Sequence, residues 1–264
     1  MKMKKLYIIA MTVIGMMFGG CNDFLEENVR GQENLDTYFQ NADEAEAFIM
    51  GCYGSITEYT WWKIERMWVL SDMCTDDYWM GNTSQPQEEY ISLAHYQGVG
   101  QSNGSISDFW QYRYKGILRC NIALDRIPNV DMDANLKKRL IAEAKFLRGY
   151  FYFDLVKNFG GVPLVTSFVM PHEVEGLTRS SLEECYAFIE RDFSEAAADL
   201  PNRVSLSASD AGRATKGAAL GFLGKVQVYN SEFPDAVNTL KEIISSNQYA
   251  VSYTHLRAHE TCAD

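Results

Sequence analysis

The stretch FLRGYFYFDLVKNFGGVPLV, Phe146 to Val165, decides how this chain folds: five aromatic rings fall within its first eight residues, and Gly-Gly-Val-Pro comes near its end. The rings belong to a helical pattern over 135–159, in which apolar residues recur at steps of three and four. Further rings flank that stripe, so the predicted helix must contact neighbours on more than one side. We interpret most of the rings as core. Gly160 or Gly161 can cap the helix, and Pro163 prevents its continuation.

Similar patterns predict helices elsewhere. One follows a capping Asn41, one runs from Ser105 towards Pro128 with Ser107 and Asp108 interpreted as caps, and one starts at a capping box formed by Ser181 and Glu184. Towards the end, RATKGAALGFLGKVQVY and DAVNTLKEIISSNQY resemble a tetratricopeptide unit, whose small residues let two helices approach closely. The sequence predicts a mainly α fold of tetratricopeptide-like helical pairs, with irregular loop insertions between 61 and 103.

The composition suits a globular protein, since 47% of the 264 residues are apolar. The formal net charge of −11 argues against a nucleic-acid partner, because such binding needs a clustered basic face. We interpret Cys52, Cys74, Cys120 and Cys185 as buried thiols and leave open whether any of them form disulfides.

The two ends have patterns of their own. Lysines precede an apolar run in 1–20, which predicts a signal peptide, and Phe18-Gly19-Gly20-Cys21 resembles the lipobox of bacterial lipoproteins. We therefore expect Cys21 to be lipidated, with 21–40 as a tether from the membrane to a domain over 41–250. Residues 251–264 resemble an in-frame translation of a sequencing-library adapter. We expect that segment to be an artefact and the domain to be truncated at its C-terminal side.

A ligand site is predicted in the loop region between 61 and 103. Sugars stack on flat aromatic faces and bond to amides, and loops often carry binding residues. The best candidates are Trp79 with Asn82, followed by Tyr78, Trp61 and Trp62. The alternative is that these aromatic residues only anchor the loops on the helical core.

Catalysis is the competing interpretation of the same region, because Asp76, Asp77 and the pair Glu88 and Glu89 supply carboxylates. Adjacent acids in a polar loop usually face water, and the histidines outside the tail have no obvious nucleophile partner. These carboxylates could also hold a hard cation, but their spacing matches no EF-hand. We predict no enzyme activity, no cofactor and no metal site.

Taken together, the motifs resemble the SusD/RagB family of nutrient-binding lipoproteins of the outer membrane. The matching pieces are CNDFLE at 21–26, Leu70-Ser71-Asp72 with Asp76-Asp77, AKFLRGYFYFDLVKNFGGVPLV, and Arg213-Ala214-Thr215 with the small and apolar residues after it.

The resemblance implies four tetratricopeptide-like helical pairs with irregular segments packed on one side. It also implies a lipid-anchored surface protein that captures oligosaccharides and delivers them to a SusC-like TonB-dependent transporter in the outer membrane. Two alternatives remain at this point: a RagB-like member that captures peptides, and a helical adaptor with no small ligand.

Overall fold

The computed structural model describes residue 35 and residues 38–57, 70–78, 88–97, 99–100 and 102–249. The chain divides into two compact units, 1–38 and 39–264, and nearly all the described residues belong to the second. Every regular element in the described ranges is helical, which confirms the mainly α class. The α-helices are α1 (Ala42–Gly54), α2 (Glu88–His95), α3 (Gly104–Arg126), α4 (Ala134–Phe159), α5 (Leu182–Asp199), α6 (Lys216–Tyr229) and α7 (Phe233–Ser245). Short 3-10 turns lie at Ser55–Thr57, Ile127–Asn129, Pro171–Glu173, Arg203–Ser205 and Ala208–Asp210.

Side-chain caps begin most of these helices. Asn41 accepts a hydrogen bond from the Glu44 backbone N–H, as predicted. Ser181 and Glu184 form the predicted reciprocal capping box. Each such cap contributes about 1 kcal/mol and fixes where the helix begins.

One expectation for the start of α3 was wrong. Ser107 and Asp108 are not caps, because α3 already begins at Gly104 and Asn103 accepts from the backbone N–H groups of Ser105 and Ile106. The segment before α3 also contains the short helix α2, which was not predicted. This helix has eight residues and only Leu93 is buried, so it is too short to show a clear helical period in sequence.

The aromatic stretch lies in the centre of α4 and forms core, as predicted. Phe146 packs edge-on against Phe193 of α5, with ring centroids 5.7 Å apart, and Phe193 stacks on Phe222 of α6 at 5.5 Å. Tyr152 meets Phe188 of α5 at 5.3 Å. Rings on several sides of α4 therefore bind consecutive helices into one array.

A buried ion pair joins α4 to α5 beside these rings. The guanidinium of Arg148 donates from Nε and Nη2 to the two carboxylate oxygens of Asp192, at 2.7 and 2.8 Å. Its Nη1 donates to Asn121 Oδ1 and to the carbonyl oxygen of Thr166, both at 2.9 Å. One arginine therefore fixes α3, α4, α5 and the segment that follows α4.

A second charged network is centred on Glu143 of α4, whose side chain is fully buried. It accepts from Arg139 Nε at 3.0 Å and from Arg213 Nε at 3.1 Å. Arg213 also contacts Glu46 of α1 at 2.7 Å. Arg213 therefore connects the start of the array to the loop before α6.

The Gly-Gly-Val-Pro sequence ends α4 through two different properties of glycine. Gly160 has a φ of +70°, a backbone conformation that favours glycine. Gly161 instead passes so close to the backbone that a Cβ on it would overlap the carbonyl oxygen of Ser180. The Ser180 N–H donates to the carbonyl oxygen of Val162 at 3.1 Å, and this hydrogen bond holds the two backbone segments together.

Gly161→Ala is expected to lower the free energy of unfolding by about 2–3 kcal/mol, because the new methyl group forces two backbone segments apart. Urea unfolding measures this. Gly51→Ala is the control: a Cβ there meets nothing within 4 Å, and the change should stabilise helix α1 by about 0.5–1 kcal/mol. A Gly161→Ala protein as stable as the parent would contradict this close approach.

Small residues also let α6 and α7 approach, as predicted for the tetratricopeptide-like unit. A Cβ on Gly224 would lie 2.7 Å from the side chain of Leu240. Ala219 of α6 and Ala236 of α7 are buried as well. Pro234 occupies the first turn of α7, where its missing N–H removes no helical bond.

A carboxylate cluster lies where α5 meets the turn between α6 and α7. The Asn230 side-chain amide donates to Glu190 Oε1 at 3.3 Å and to Glu232 Oε1 at 2.8 Å. Desolvation, followed by repulsion from Glu232, raises the pKa of Glu190 to about 7. The folded state therefore binds a proton more tightly than the unfolded chain does between about pH 4.5 and 7.

Because the pKa of Glu190 is higher in the folded protein, its contribution to the free energy of unfolding is fully present below the pKa that Glu190 has in the unfolded chain. That contribution is lost as the pH rises through about 7. Glu190→Gln should therefore stabilise the protein at pH 8 relative to the parent and change it little at pH 4.5. Urea midpoints at both pH values test this. Glu195→Gln should instead destabilise the protein at pH 8, because the hydrogen bond from Lys145 lowers the pKa of Glu195. Equal effects of Glu190→Gln at both pH values would contradict the prediction.

Candidate functional site

The described part of the loop region is a small module at the start of α3. Met73 and Leu93 form its buried centre, and Leu70, Tyr90 and Ile106 pack around them. Met73 belongs to the 70–78 segment, Leu93 to α2 and Ile106 to α3. This module positions the chain on either side of the predicted ligand residues.

Hydrogen bonds hold the same module in place. The amide of Asn103 donates to the carbonyl oxygen of Glu89 at 2.9 Å and to Ser92 Oγ at 3.1 Å, while its oxygen caps α3. The hydroxyl of Tyr96 donates to the carbonyl oxygen of Cys74. One asparagine thus joins two helices, which fixes α2 against α3.

Tyr78 lies at the outer end of this module. A turn from Asp72 to Thr75 precedes it, closed by a 3.1 Å backbone hydrogen bond. The side chain of Tyr78 is 40% exposed, and Asp76 and Asp77 beside it are exposed as well. The side chain is therefore not part of the buried core.

The other predicted ligand residues, Trp79, Asn82, Trp61 and Trp62, lie outside the described residues, and so does Cys21. Residues 58–69 and 79–87 immediately flank the described 70–78 segment. The assignment of these tryptophans and of Asn82 as ligand residues therefore stays a prediction.

The carboxylates considered for catalysis face outwards where they are described. Asp76, Asp77 and Glu88 are exposed, and Glu89 is half-buried. Within the described ranges, no group of three or more His, Cys, Asp or Glu side chains is placed to hold a metal ion. Of the described cysteines, Cys52, Cys120 and Cys185 are buried thiols, as predicted, whereas Cys74 is half-buried and not buried as expected.

A second concave surface lies on α3, and sequence reasoning missed it. It is an apolar groove of about 500 Å³, which we call the α3 groove. Trp110, Tyr114 and Leu118 of α3 form one wall, and Phe168, Met170 and Leu177 lie among the residues of the facing segment. The signal was available: positions 110, 114, 117, 118 and 121 share one helix face. No expectation drawn from the sequence concerned that face.

The facing segment is residues 163–177, and hydrogen bonds fix its first part onto the helices. The Tyr114 hydroxyl donates to the carbonyl oxygen of Pro163 at 2.8 Å, and the Asn121 amide donates to that of Val165 at 2.8 Å. The Tyr152 hydroxyl also exchanges hydrogen bonds with the backbone of Val165. Residues 163–165 are therefore held in place against α3 and α4.

No helix among the described residues combines the length and apolar character needed to span a bilayer.

Comparison with known proteins agrees with the predicted resemblance. The model of one family, SusD-like_3, described as "Starch-binding associating with outer membrane", matches residues 23–228. SusD-like protein P2 of Formosa agariphila is 27% identical over 247 residues, which cover 92% of this chain and 47% of that protein. A SusD-like protein of Bacteroides ovatus is 26% identical over 235 residues, covering 86% of this chain and 39% of its own length.

Solved structures share the fold. A SusD-like carbohydrate-binding protein from Bacteroides fragilis superposes with a TM-score of 0.71 at 27% identity, covering 83% of this chain and 43% of that one. A laminarin-binding SusD-like protein superposes with a TM-score of 0.69 at 28% identity, covering 77% and 43%. The chain spans 39–48% of the length of the curated relatives it matches. Since the family match extends over most of the sequence, this chain belongs to the SusD-like family.

Proposed function

We propose that this chain is part of a cell-surface lipoprotein that captures oligosaccharides and delivers them to a SusC-like TonB-dependent transporter of the outer membrane. The observation that carries the proposal is the family match over residues 23–228, with its description of starch binding at the outer membrane. A relative of known fold that binds laminarin, at 28% identity, supports a glycan as the cargo.

The lipid anchor at Cys21 belongs to the same proposal. Its support is the sequence pattern of lysines, an apolar run and small residues directly before the cysteine. Two or more acyl chains on that cysteine would keep the protein stably at the membrane surface. The binding domain would then lie outside the membrane, next to the transporter.

The proposed ligand surface consists of Tyr78, Trp79 and Asn82, with Trp61 and Trp62 nearby in sequence. The exposed ring of Tyr78 supports it, because an aromatic face at the end of a hydrogen-bonded turn can stack on a sugar ring. An amide at Asn82 would bond to sugar hydroxyls. Capture by stacking and hydrogen bonding needs no catalytic group, so we propose a binding protein without enzyme activity.

Trp79→Ala tests the ligand surface. Retention of the protein on starch or laminarin in affinity electrophoresis should be lost, because stacking of one ring contributes a large share of the binding free energy. Circular dichroism should remain that of the parent. Phe233→Ala, which truncates an exposed ring on α7, is the control and should leave retention unchanged.

Three other outcomes would each contradict part of this assignment. If Trp79→Ala unfolds the protein, Trp79 belongs to the core. If the parent is retained on neither glycan but binds immobilised peptides, the cargo is peptide. If the parent binds neither class of cargo, a helical adaptor without a small ligand replaces the binding function.

A further inference from the structure

Tyr96 follows helix α2 in a backbone conformation that a tyrosine adopts at a steric cost. Its φ is +53°, in the left-handed region that bulky residues rarely occupy. The Tyr96 N–H donates to the carbonyl oxygen of Leu93 at 3.3 Å, and the Gln97 N–H donates to that of Ser92 at 3.0 Å. This pair of hydrogen bonds ends many helices, usually with glycine at the left-handed position. Tyrosine therefore stands where glycine would avoid the steric cost.

Burial does not offset this cost at Tyr96. Among the described residues, Phe39 is the other large aromatic residue with a left-handed backbone, at a φ of +67°. Phe39 is only 8% exposed and packs against Phe48, with ring centroids 4.7 Å apart, so packing can compensate for its backbone. Tyr96 is 72% exposed. A strained and exposed residue of this kind points to a role outside the stability of the fold.

The ring of Tyr96 is anchored at its far end although it is exposed. Its hydroxyl donates to the carbonyl oxygen of Cys74, in the turn that precedes Tyr78. Thr75 closes that turn by donating to the carbonyl oxygen of Asp72, from its N–H at 3.1 Å and from its hydroxyl at 2.7 Å. An anchored ring loses little freedom when a ligand covers it, which favours binding.

We propose that Tyr96 is a further ligand-contacting residue, and that its ring stacks on a pyranose unit of the captured glycan. This inference rests on the glycan capture proposed above and adds a second described tyrosine to the ligand surface. Tyr78 and Tyr96 are attached to the same turn, Tyr78 by its backbone N–H to Thr75 and Tyr96 by its hydroxyl to Cys74. Because the hydroxyl of Tyr96 already has an acceptor, the contact with the sugar is made by the flat face of the ring.

Tyr96→Gly removes the ring and relieves the backbone in one change. The dissociation constant for whichever of starch and laminarin retains the parent in affinity electrophoresis should rise at least about tenfold, because aromatic anchors carry much of the binding free energy. The melting temperature should stay within about 3 °C of the parent's, since the relieved backbone offsets the loss of one exposed hydrogen bond. Asn247→Gly is the matched control, because Asn247 follows α7 with a φ of +54° and lacks a ring, so binding should not change.

Tyr96→Phe separates the ring from its hydroxyl. The variant keeps the stacking face and loses the bond to Cys74, so the dissociation constant should rise by only about two- to fivefold, the cost of ordering one freed side chain. If Tyr96→Phe weakened binding as much as Tyr96→Gly, the hydroxyl and not the ring would make the contact, and the proposal would be overturned.

Nitration of the parent by tetranitromethane decides the question even if Tyr96→Gly fails to fold. At about ten times the dissociation constant, the glycan should slow nitration of Tyr96 at least about threefold, because most of the protein then carries a covered ring. Tyr229, which is 52% exposed on α6, should react at an unchanged rate.

Two results would overturn the role of Tyr96 and leave glycan capture standing. One is a parent that is retained on a glycan while its Tyr96 is nitrated equally fast with and without that glycan. The other is a folded Tyr96→Gly protein that binds as tightly as the parent. A parent retained on neither starch nor laminarin would overturn both the role of Tyr96 and the capture of these glycans.

Discussion

Asp192→Ala is expected to lower the free energy of unfolding by about 3–5 kcal/mol, because it leaves the guanidinium of Arg148 buried without its counter-charge. The two side chains are 8% and 1% exposed, so water cannot replace the missing carboxylate. Arg148 would keep its bonds to Asn121 and Thr166, neither of which carries a charge. Urea unfolding followed by circular dichroism measures the loss.

The matched control for this prediction lies on the same two helices. Lys145 of α4 and Glu195 of α5 form a 2.7 Å ion pair whose side chains are partly exposed. Glu195→Ala should therefore cost at most about 1 kcal/mol, as is usual for pairs in contact with water. If the two alanine variants were equally stable, Arg148 would not depend on Asp192 for its charge compensation.

A double variant separates the ion pair from simple packing. Arg148→Met together with Asp192→Leu removes both charges and retains side-chain volume, so it should recover part of the loss seen in Asp192→Ala. Recovery would show that the single variant is destabilised by an uncompensated charge. If the double variant lost as much free energy of unfolding as the two single variants together, the hydrogen-bond geometry, and not the charge balance, would dominate.

Glu143→Ala is the second change with a large expected effect, at about 3 kcal/mol. Glu143 is fully buried and accepts from both Arg139 and Arg213, so its loss leaves two guanidinium groups short of one counter-charge. Asp210 lies 2.9 Å from Arg139 and remains, which keeps the expected cost at the lower end. Thermal and urea unfolding of the variant give the measurement.

Glu46→Ala removes a different carboxylate that contacts Arg213 and is the control. Its side chain is more than a third exposed, so water can solvate the arginine in its place, and the cost should be at most about 1 kcal/mol. If Glu46→Ala were as destabilising as Glu143→Ala, the link between α1 and Arg213 would be the stronger part of this network.

Much of the fold could be predicted because it depends on local patterns. The helical period of the aromatic stretch, the capping box at Ser181 and the cap at Asn41 involve residues within a few positions of each other, and all three are present. Errors arose where local signals were short or duplicated. Helix α2 has only eight residues, and Asn103, Ser107 and Asp108 are all residue types that cap helices.

The concave and exposed surfaces that could bind a ligand were anticipated only in part. Composition identified the aromatic and amide-rich segment, and Tyr78 is exposed at its described edge. Trp110 was overlooked, because periodicity on α3 does not distinguish a face covered by another element from a face lining an open groove. That distinction depends on residues 163–177, far away in sequence.

The sequence by itself determined that the chain forms mainly helices and where the aromatic helix ends, because these follow from residue spacing and local backbone preference. Its motifs also carried the resemblance to the family. Only the tertiary structure decided the partners of the motif residues. Arg148 and Asp192 are 44 positions apart, and Arg213 meets Glu46 across 167. Which buried charges compensate each other depends on how helices pack, and packing depends on the summed contacts of distant side chains, which no local pattern contains.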